Sequence, residues 1–226
     1  MNERERTPAS RAPFFLFPIN APERTPYKEM IRLFKELCKT LLENLTDEEI
    51  FLKATDDYNH HSERCPRCGV RGRLSPHGIY SRQLVSYENG MVLDQRISLQ
   101  RFECNSCYST HALHPDILIP FSPYSLRFKL TVLIAYFERD TTVASICNHF
   151  CIAVSTLYEW KKGLLEHKDL LFSILINRNR NKSAVAFIYG LLGSTRLSGI
   201  LGDFFHRYDF SFLQSRPPTA TRGRPP

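Results

Sequence analysis

Two CxxC pairs constrain this chain more than any other feature: Cys65-Pro66-Arg67-Cys68-Gly69 and Cys104-Asn105-Ser106-Cys107, with 35 residues between them. A CxxC turn aims both sulfurs at one point, and a glycine after the second cysteine suits the left-handed backbone that closes such a knuckle. Two knuckles brought together form a closed set of four thiolates, the shell that structural zinc prefers, with no position left for chemistry. The sequence therefore predicts one structural Zn2+ on Cys65, Cys68, Cys104 and Cys107. A redox CxxC would open a helix in a βαβ setting, and neither pair does. His60, His61, His111 and His114 flank the pairs as rival ligands, but four thiolates already complete a tetrahedron. The other cysteines, 38, 147 and 151, fall in helical patterns.

The spacer has the character of a hairpin. Ile79–Tyr87 and Met91–Phe102 read as strands, and Glu88-Asn89-Gly90 between them carries the Asn-Gly signal of a tight turn. This module is too small to bury much apolar surface, so metal binding should supply much of its folding free energy, roughly 10–16 kcal/mol in comparable peptides. Arginines 64, 67, 71, 73, 82, 96 and 101 face only Glu88, Asp94 and Glu103 over residues 64–107. Strand alternation predicts several of them on one face, with Arg71, Arg73, Arg82, Arg96 and Arg101 as nucleic-acid contacts.

Outside the module the periodicity is helical. Met30, Leu33, Phe34, Leu37, Leu41, Leu42 and Leu45 predict a helix over Tyr27–Leu45, and Thr46 with Glu49 reads as a capping box opening a second helix to about Asp56. Ser122-Pro123 reads as the start of a helix with Leu126, Leu130, Leu133 and Phe137 buried, ending near Asp140. Val143, Ala144, Ile146, Cys147 and Phe150 mark a shorter helix. Cys151-Ile152-Ala153-Val154 is a break, and Ser155-Thr156-Leu157-Tyr158-Glu159-Trp160-Lys161-Lys162 opens another helix.

This is the order of a helix-turn-helix. Ile152 and Val154 are expected to plug the angle, and Ser155 or Thr156 to cap the second helix. Ser155, Thr156, Tyr158, Glu159, Lys161 and Lys162 become candidate major-groove contacts, with Leu157 and Trp160 in the core. Cys151 occupies the turn position where glycine is usual, which predicts a strained backbone there. A last helix is expected over Thr195–Tyr208, after a polar connector at 177–182.

The organisation expected is α+β: a small β-hairpin zinc ribbon joined to a mainly helical helix-turn-helix region, with flanking N- and C-terminal helices and disordered ends. The divisions are a proline-broken arm over 1–26 with the apolar run Phe14–Phe17, N-terminal helices over 27–57, the ribbon over 58–120, the helix-turn-helix region over 121–172, a helical segment over 173–215 and a tail over 216–226. Lys and Arg number 30 against 23 Asp and Glu, a formal charge of +7, which favours polyanionic partners. No apolar run nears the roughly 20 residues of a membrane span, and the N-terminus lacks the apolar core of a secretion signal. A cytoplasmic protein is expected, nucleoid-associated if it binds DNA, with no membrane and no small-molecule substrate.

The string Cys65-Pro-x-Cys-Gly, His77-Gly78-x-Tyr80-x-Arg82-x-Leu84 and Arg101-Phe-x-Cys104-x-x-Cys107 resembles the zinc-binding N-terminal module of bacterial insertion-sequence transposases. The continuation is similar to a transposase-related bacterial family of unknown function that joins such a ribbon to a helix-turn-helix. The residues carrying this are His111-Ala112-Leu113-x-Pro115, Leu118-Ile119-Pro120, Tyr124-Ser125, Ser155-Thr156-Leu157-Tyr158-x-Trp160 and Phe210–Ser215. The resemblance spans roughly residues 60–215 and implies zinc and double-stranded DNA binding, not a reaction. Transposase chemistry needs three carboxylates on an RNase-H-like fold. Asp116, Glu138, Asp140, Asp169, Asp203 and Asp209 lie scattered in a helical region, so no catalytic residue is assigned. The competing expectations are a zinc-stabilised protein-interaction scaffold or transcriptional regulator, with a protein partner on the N-terminal segment, and a magnesium-dependent nuclease.

Overall fold

The computed structural model describes residues 30–35, 44–56, 58–174 and 183–215. The 1–26 arm with Phe14–Phe17, Cys38, the 177–182 connector and the 216–226 tail lie outside them. Within them the fold is mixed α+β. Its strands are β1 (Ile31–Leu33), β2 (Leu74–Glu88), β3 (Met91–Cys104) and β4 (Thr110–Pro115), in sheet order β1-β4-β3-β2. Its helices are α1 (Asp47–Asp56), α2 (Leu126–Glu138), α3 (Val143–His149), α4 (Val154–Ile174), α5 (Ala184–Leu192) and α6 (Leu197–Tyr208). Among the described residues no single helix is long and apolar enough to cross a membrane.

The hairpin follows from its turn. Asn89 (φ 51°) and Gly90 (φ 82°) both take positive φ, the requirement of the two-residue turn whose twist matches the strands, and the ladder runs from Glu88↔Met91 to Leu74↔Cys104. That register brings the start of β2 and the end of β3 to the cysteines. The capping box at α1 forms as read: the Thr46 amide donates to Glu49 Oε2 at 2.8 Å, and the Glu49 amide to Thr46 Oγ1 at 3.2 Å.

The helix expected over 27–45 is corrected at residues 31–33, while 27–29 and 36–43 lie outside the described residues. Residues 31–33 form a strand parallel to β4, with Ile31↔Leu113 and Leu33↔Pro115. Leu33 fits the helical set with Met30 and Phe34, but Ile31 and Leu33 together fit period 2, and β4 offers an edge whose backbone groups need partners. Arg32, between them, turns inward and donates to the Leu118 carbonyl at 3.0 Å.

Three packed clusters result. Ile50 and Phe51 of α1 close on Leu84, Ile97, Leu99, Ile117 and Leu118. The helical core gathers around α2 and includes Phe128, Leu133, Ile146, Leu157, Trp160, Phe187 and Phe204. The smallest holds Ile31, Cys65, Leu74, Phe102, Cys104 and Leu113 at the cysteine end.

The hairpin and helices are fastened together. The Val85 amide donates to the Pro123 carbonyl at 2.8 Å, and the Ser125 amide to the Val85 carbonyl at 3.0 Å. This pairing keeps residues 122–124 extended, so α2 starts later than Ser122-Pro123 predicts, with Ser125 as its N-cap bonding the Phe128 amide. Ser125 Oγ also donates to the buried Asp47 carboxylate, which pairs with Arg127 at 3.3 Å. At the hairpin tip Tyr87 Oη meets His149 Nε2 at 2.7 Å, joining β2 to α3. Residues 210–214 cross over α2 and α4: the Leu213 amide donates to His167 Nδ1 at 2.9 Å, and Lys129 Nζ to the Leu213 carbonyl at 3.1 Å.

Candidate metal centre

Each cysteine pair sits in the same backbone turn. In the first, the Gly69 amide donates to the Cys65 carbonyl (2.9 Å) and the Cys65 amide to the Val70 carbonyl (2.9 Å). In the second, the Tyr108 amide donates to the Cys104 carbonyl (2.8 Å) and the Cys104 amide to the Ser109 carbonyl (2.9 Å). Gly69 takes φ 73°, as its position after the second cysteine requires, and Tyr108 takes φ 55°. The Asn105 amide donates to the Arg73 carbonyl at 2.8 Å and holds the two turns side by side.

The four sulfurs all lie within 4.8 Å of one another, with Cys65–Cys107 and Cys68–Cys104 at 3.7 Å. A tetrahedral ion with metal–sulfur bonds of about 2.3 Å requires sulfur–sulfur edges of about 3.8 Å. The donor set therefore fits one metal ion with no further ligand. Cys104 and Cys65 are buried, Cys107 half-buried and Cys68 exposed, so the site is sealed on one side and open to metal on the other.

The surroundings favour thiolate at one corner. Burial pushes the Cys65 thiol up to about 12 and raises Cys68 as well. At Cys107 burial acts in the same direction but is outweighed by hydrogen bonds to the Ser109 side chain and backbone, which bring the thiol down to about 7. A cation stabilises all four as thiolates, so metal uptake releases protons and weakens in acid. His111 Nε2 stands 3.3 Å from Cys65 Sγ, placed to donate to the thiolate. Arg67 Nη1 donates to Ser109 Oγ at 2.5 Å. Sequence reasoning weighed His111 only as a ligand and missed Ser109. The signal was a serine two residues after the second pair and a histidine two residues further on, at the start of the strand β4.

His114, the other half of that histidine pair, faces away from the sulfurs. Its Nδ1 accepts from Arg82 Nη1 at 3.3 Å, which leaves Nε2 protonated toward Tyr80 Oη at 3.0 Å. Burial, then Arg82 and Arg32, holds its pKa well below the usual imidazole value.

The arginines divide between surfaces. Arg96 pairs with Gln83 and Arg82 with Ile97. Directly opposed residues share a face and neighbours alternate, so Arg82 and Arg96 point to opposite sides rather than to one. Arg82 is enclosed, donating to the Ile119 and Ser122 carbonyls, and positions the loop before α2. Arg101 is half-buried and donates to Thr110 Oγ1 at 2.7 Å. Arg96, Arg71 and Arg73 are exposed, although Arg71 Nε is held by the Ser62 carbonyl at 2.8 Å.

At α4 the helix begins at Val154, two residues earlier than a Ser155 cap implies and three earlier than a Thr156 cap, so both lie inside the first turn, with the Leu157 amide bonded to the Ala153 carbonyl at 3.2 Å. Ile152 is buried as expected, whereas Val154 is exposed. Cys151 takes φ 52°, the strained turn the sequence predicts. Ser155, Tyr158, Glu159 and Lys162 are exposed, Thr156 and Lys161 half-buried, and Leu157 and Trp160 buried. Lys161 Nζ donates to Tyr136 Oη at 2.8 Å and lies over the Tyr136 and Tyr158 rings.

A family model described as a domain of unknown function (DUF6431) matches residues 65–160, from the first of the four clustered cysteines to the buried tryptophan of α4. No curated protein and no solved structure matches the chain.

Proposed function

We propose that this chain is a zinc-binding, transposase-related protein that recognises double-stranded DNA and carries no catalytic domain of its own. In this reading the hairpin and its knuckles are a zinc ribbon, and α3 with α4 is a helix-turn-helix whose second helix enters the major groove. The observation that carries it is the first two turns of α4. Directly after the tight turn at Cys151, Ser155, Tyr158, Glu159 and Lys162 stand exposed while Leu157, Trp160 and Leu164 anchor the helix from behind. A recognition helix needs that division.

Zinc is favoured by four thiolates at tetrahedral spacing, and a closed shell gives the ion a structural role. Arg96, Arg71 and Arg73 supply further cations for phosphates, and Lys161, stacked between two tyrosines, supports the helix more than it contacts DNA. The charge of +7 suits the phosphate backbone.

The test is fluorescence anisotropy of the metal-loaded chain on duplex DNA drawn from a pool selected by the protein, over a range of salt. Binding should weaken steeply with salt, and Lys162→Glu should cost at least about tenfold and lower the slope of log K against log salt by about one. A chain that selects no sequence and whose affinity ignores Lys162→Glu would refute the proposal.

A further inference from the structure

The two knuckles share one hydrogen-bonding pattern, and their difference singles out a residue. Gly69 and Tyr108 hold the same position, each donating its amide to the carbonyl four residues back, and both have left-handed backbone, at φ 73° and 55°. Glycine adopts that conformation freely, while a side chain there costs on the order of 1–2 kcal/mol. Nothing in the packing offsets this at Tyr108. The residue is 79 % exposed, the highest value among the large hydrophobic residues described. A strained and solvated aromatic ring contributes nothing evident to folding.

Its neighbourhood is cationic. The Arg67 guanidinium bonds Ser109 Oγ, one residue along from Tyr108. The Arg73 backbone abuts the second knuckle through Asn105, and Arg64 pairs with Arg71 beside the first. All four arginines are exposed, and no Asp or Glu occurs from Arg64 to Tyr87. An exposed ring one residue from the Ser109 that holds the Arg67 guanidinium, on a turn beside which Arg64, Arg71 and Arg73 are exposed while the flanking Glu103 is taken up by His77 at 2.9 Å, is complementary to a base flanked by phosphates.

We propose that Tyr108 is a stacking platform for an unpaired nucleobase, and that the arginines around the first knuckle take the neighbouring phosphates. The site is separate from α4 and calls for nucleic acid with a single-stranded portion, such as a frayed end or an overhang. It shares with the proposed function only the partner class.

The experiment compares two probes on the metal-loaded full chain: a blunt duplex, and the same duplex with a single-stranded overhang of about ten nucleotides. Wild type should prefer the overhang. Tyr108→Gly should keep or raise the melting temperature, because the strain is relieved, yet lose overhang affinity by about 5- to 150-fold, with blunt-duplex affinity unchanged. Tyr108→Phe should retain the preference. Tyr108→Asn, the side chain best suited to left-handed backbone, should behave as the glycine variant does and guards against misfolding of either. Equal affinity of wild type for both probes, or an undiminished overhang preference in Tyr108→Gly, overturns the proposal. Loss of blunt-duplex binding alone, with the overhang still held through Tyr108, removes the α4 reading and leaves this one standing.

Discussion

Acid should loosen the segment over α4, because its central contact requires an unprotonated imidazole. His167 is 7 % exposed, its ring centroid 5.1–5.9 Å from those of Phe204, Phe210 and Phe212. Nδ1 accepts the Leu213 amide, so a proton on that nitrogen removes the bond and leaves a buried cation near Lys129. Burial first, and the Lys129 charge second, bring its pKa down from 6.5 to about 4. The folded state thus favours the neutral ring: this stability is complete above pH 6.5 and is lost as pH falls through 4. A gap of about 2.5 pH units at about 1.4 kcal/mol each amounts to about 3 kcal/mol. Other groups titrate in the same window, so the difference between two proteins is the informative quantity. His167→Asn keeps an acceptor at the δ position but does not titrate. It should be less stable at every pH, through lost ring packing, while its urea-unfolding free energy falls by about 3 kcal/mol less than that of wild type between pH 6.5 and 4. Parallel profiles for the two proteins would refute the argument.

Two further outcomes follow from buried or strained groups. Burial raises the Asp47 carboxyl from 3.8 to about 6 against the pull of Arg127 and Ser125, so its protonation stabilises the fold as pH drops from about 6 to 4. Asp47→Asn should remove a gain of about 3 kcal/mol over that range and make acid unfolding steeper in a pH-dependent urea series, while costing less at pH 7 than Asp47→Ala. Cys151→Gly should raise stability by up to about 1 kcal/mol in thermal unfolding, because φ 52° suits glycine and the thiol is exposed; a fall in melting temperature would show that the side chain contributes more than the strain it causes.

Where local chemistry decides, the sequence was readable. The Asn89-Gly90 turn, the Thr46–Glu49 capping box, the Gly69 knuckle and the strain at Cys151 each depend on a few adjacent residues, and the sulfurs converge because the hairpin register carries Cys104 back to Cys65. Where long-range partners decide, it was not. Leu33 can join the helical stripe of Met30 and Phe34 or alternate with Ile31, and only the edge that β4 supplies decides for the strand. The strand β4 shows no apolar alternation because both of its faces are covered and its buried positions include His111 and His114, which sit in hydrogen bonds rather than among apolar side chains. Helix α5, Ala184–Leu192, is apolar nearly all round and shows no amphipathic period. The placement of Arg82 was not readable, because alternation tells which residues share a face but not which face is covered: Arg82 follows Leu84 inward, under the loop at Ile119–Ser122.

Metal content of the purified full-length chain, measured together with cobalt(II) substitution, tests the central claim most directly. The account predicts one zinc per chain and a tetrahedral, thiolate-rich cobalt spectrum, both abolished by Cys104→Ser together with the order of the hairpin's cysteine end. A chain that is fully folded without metal, or that still holds one ion after Cys104→Ser, would contradict it.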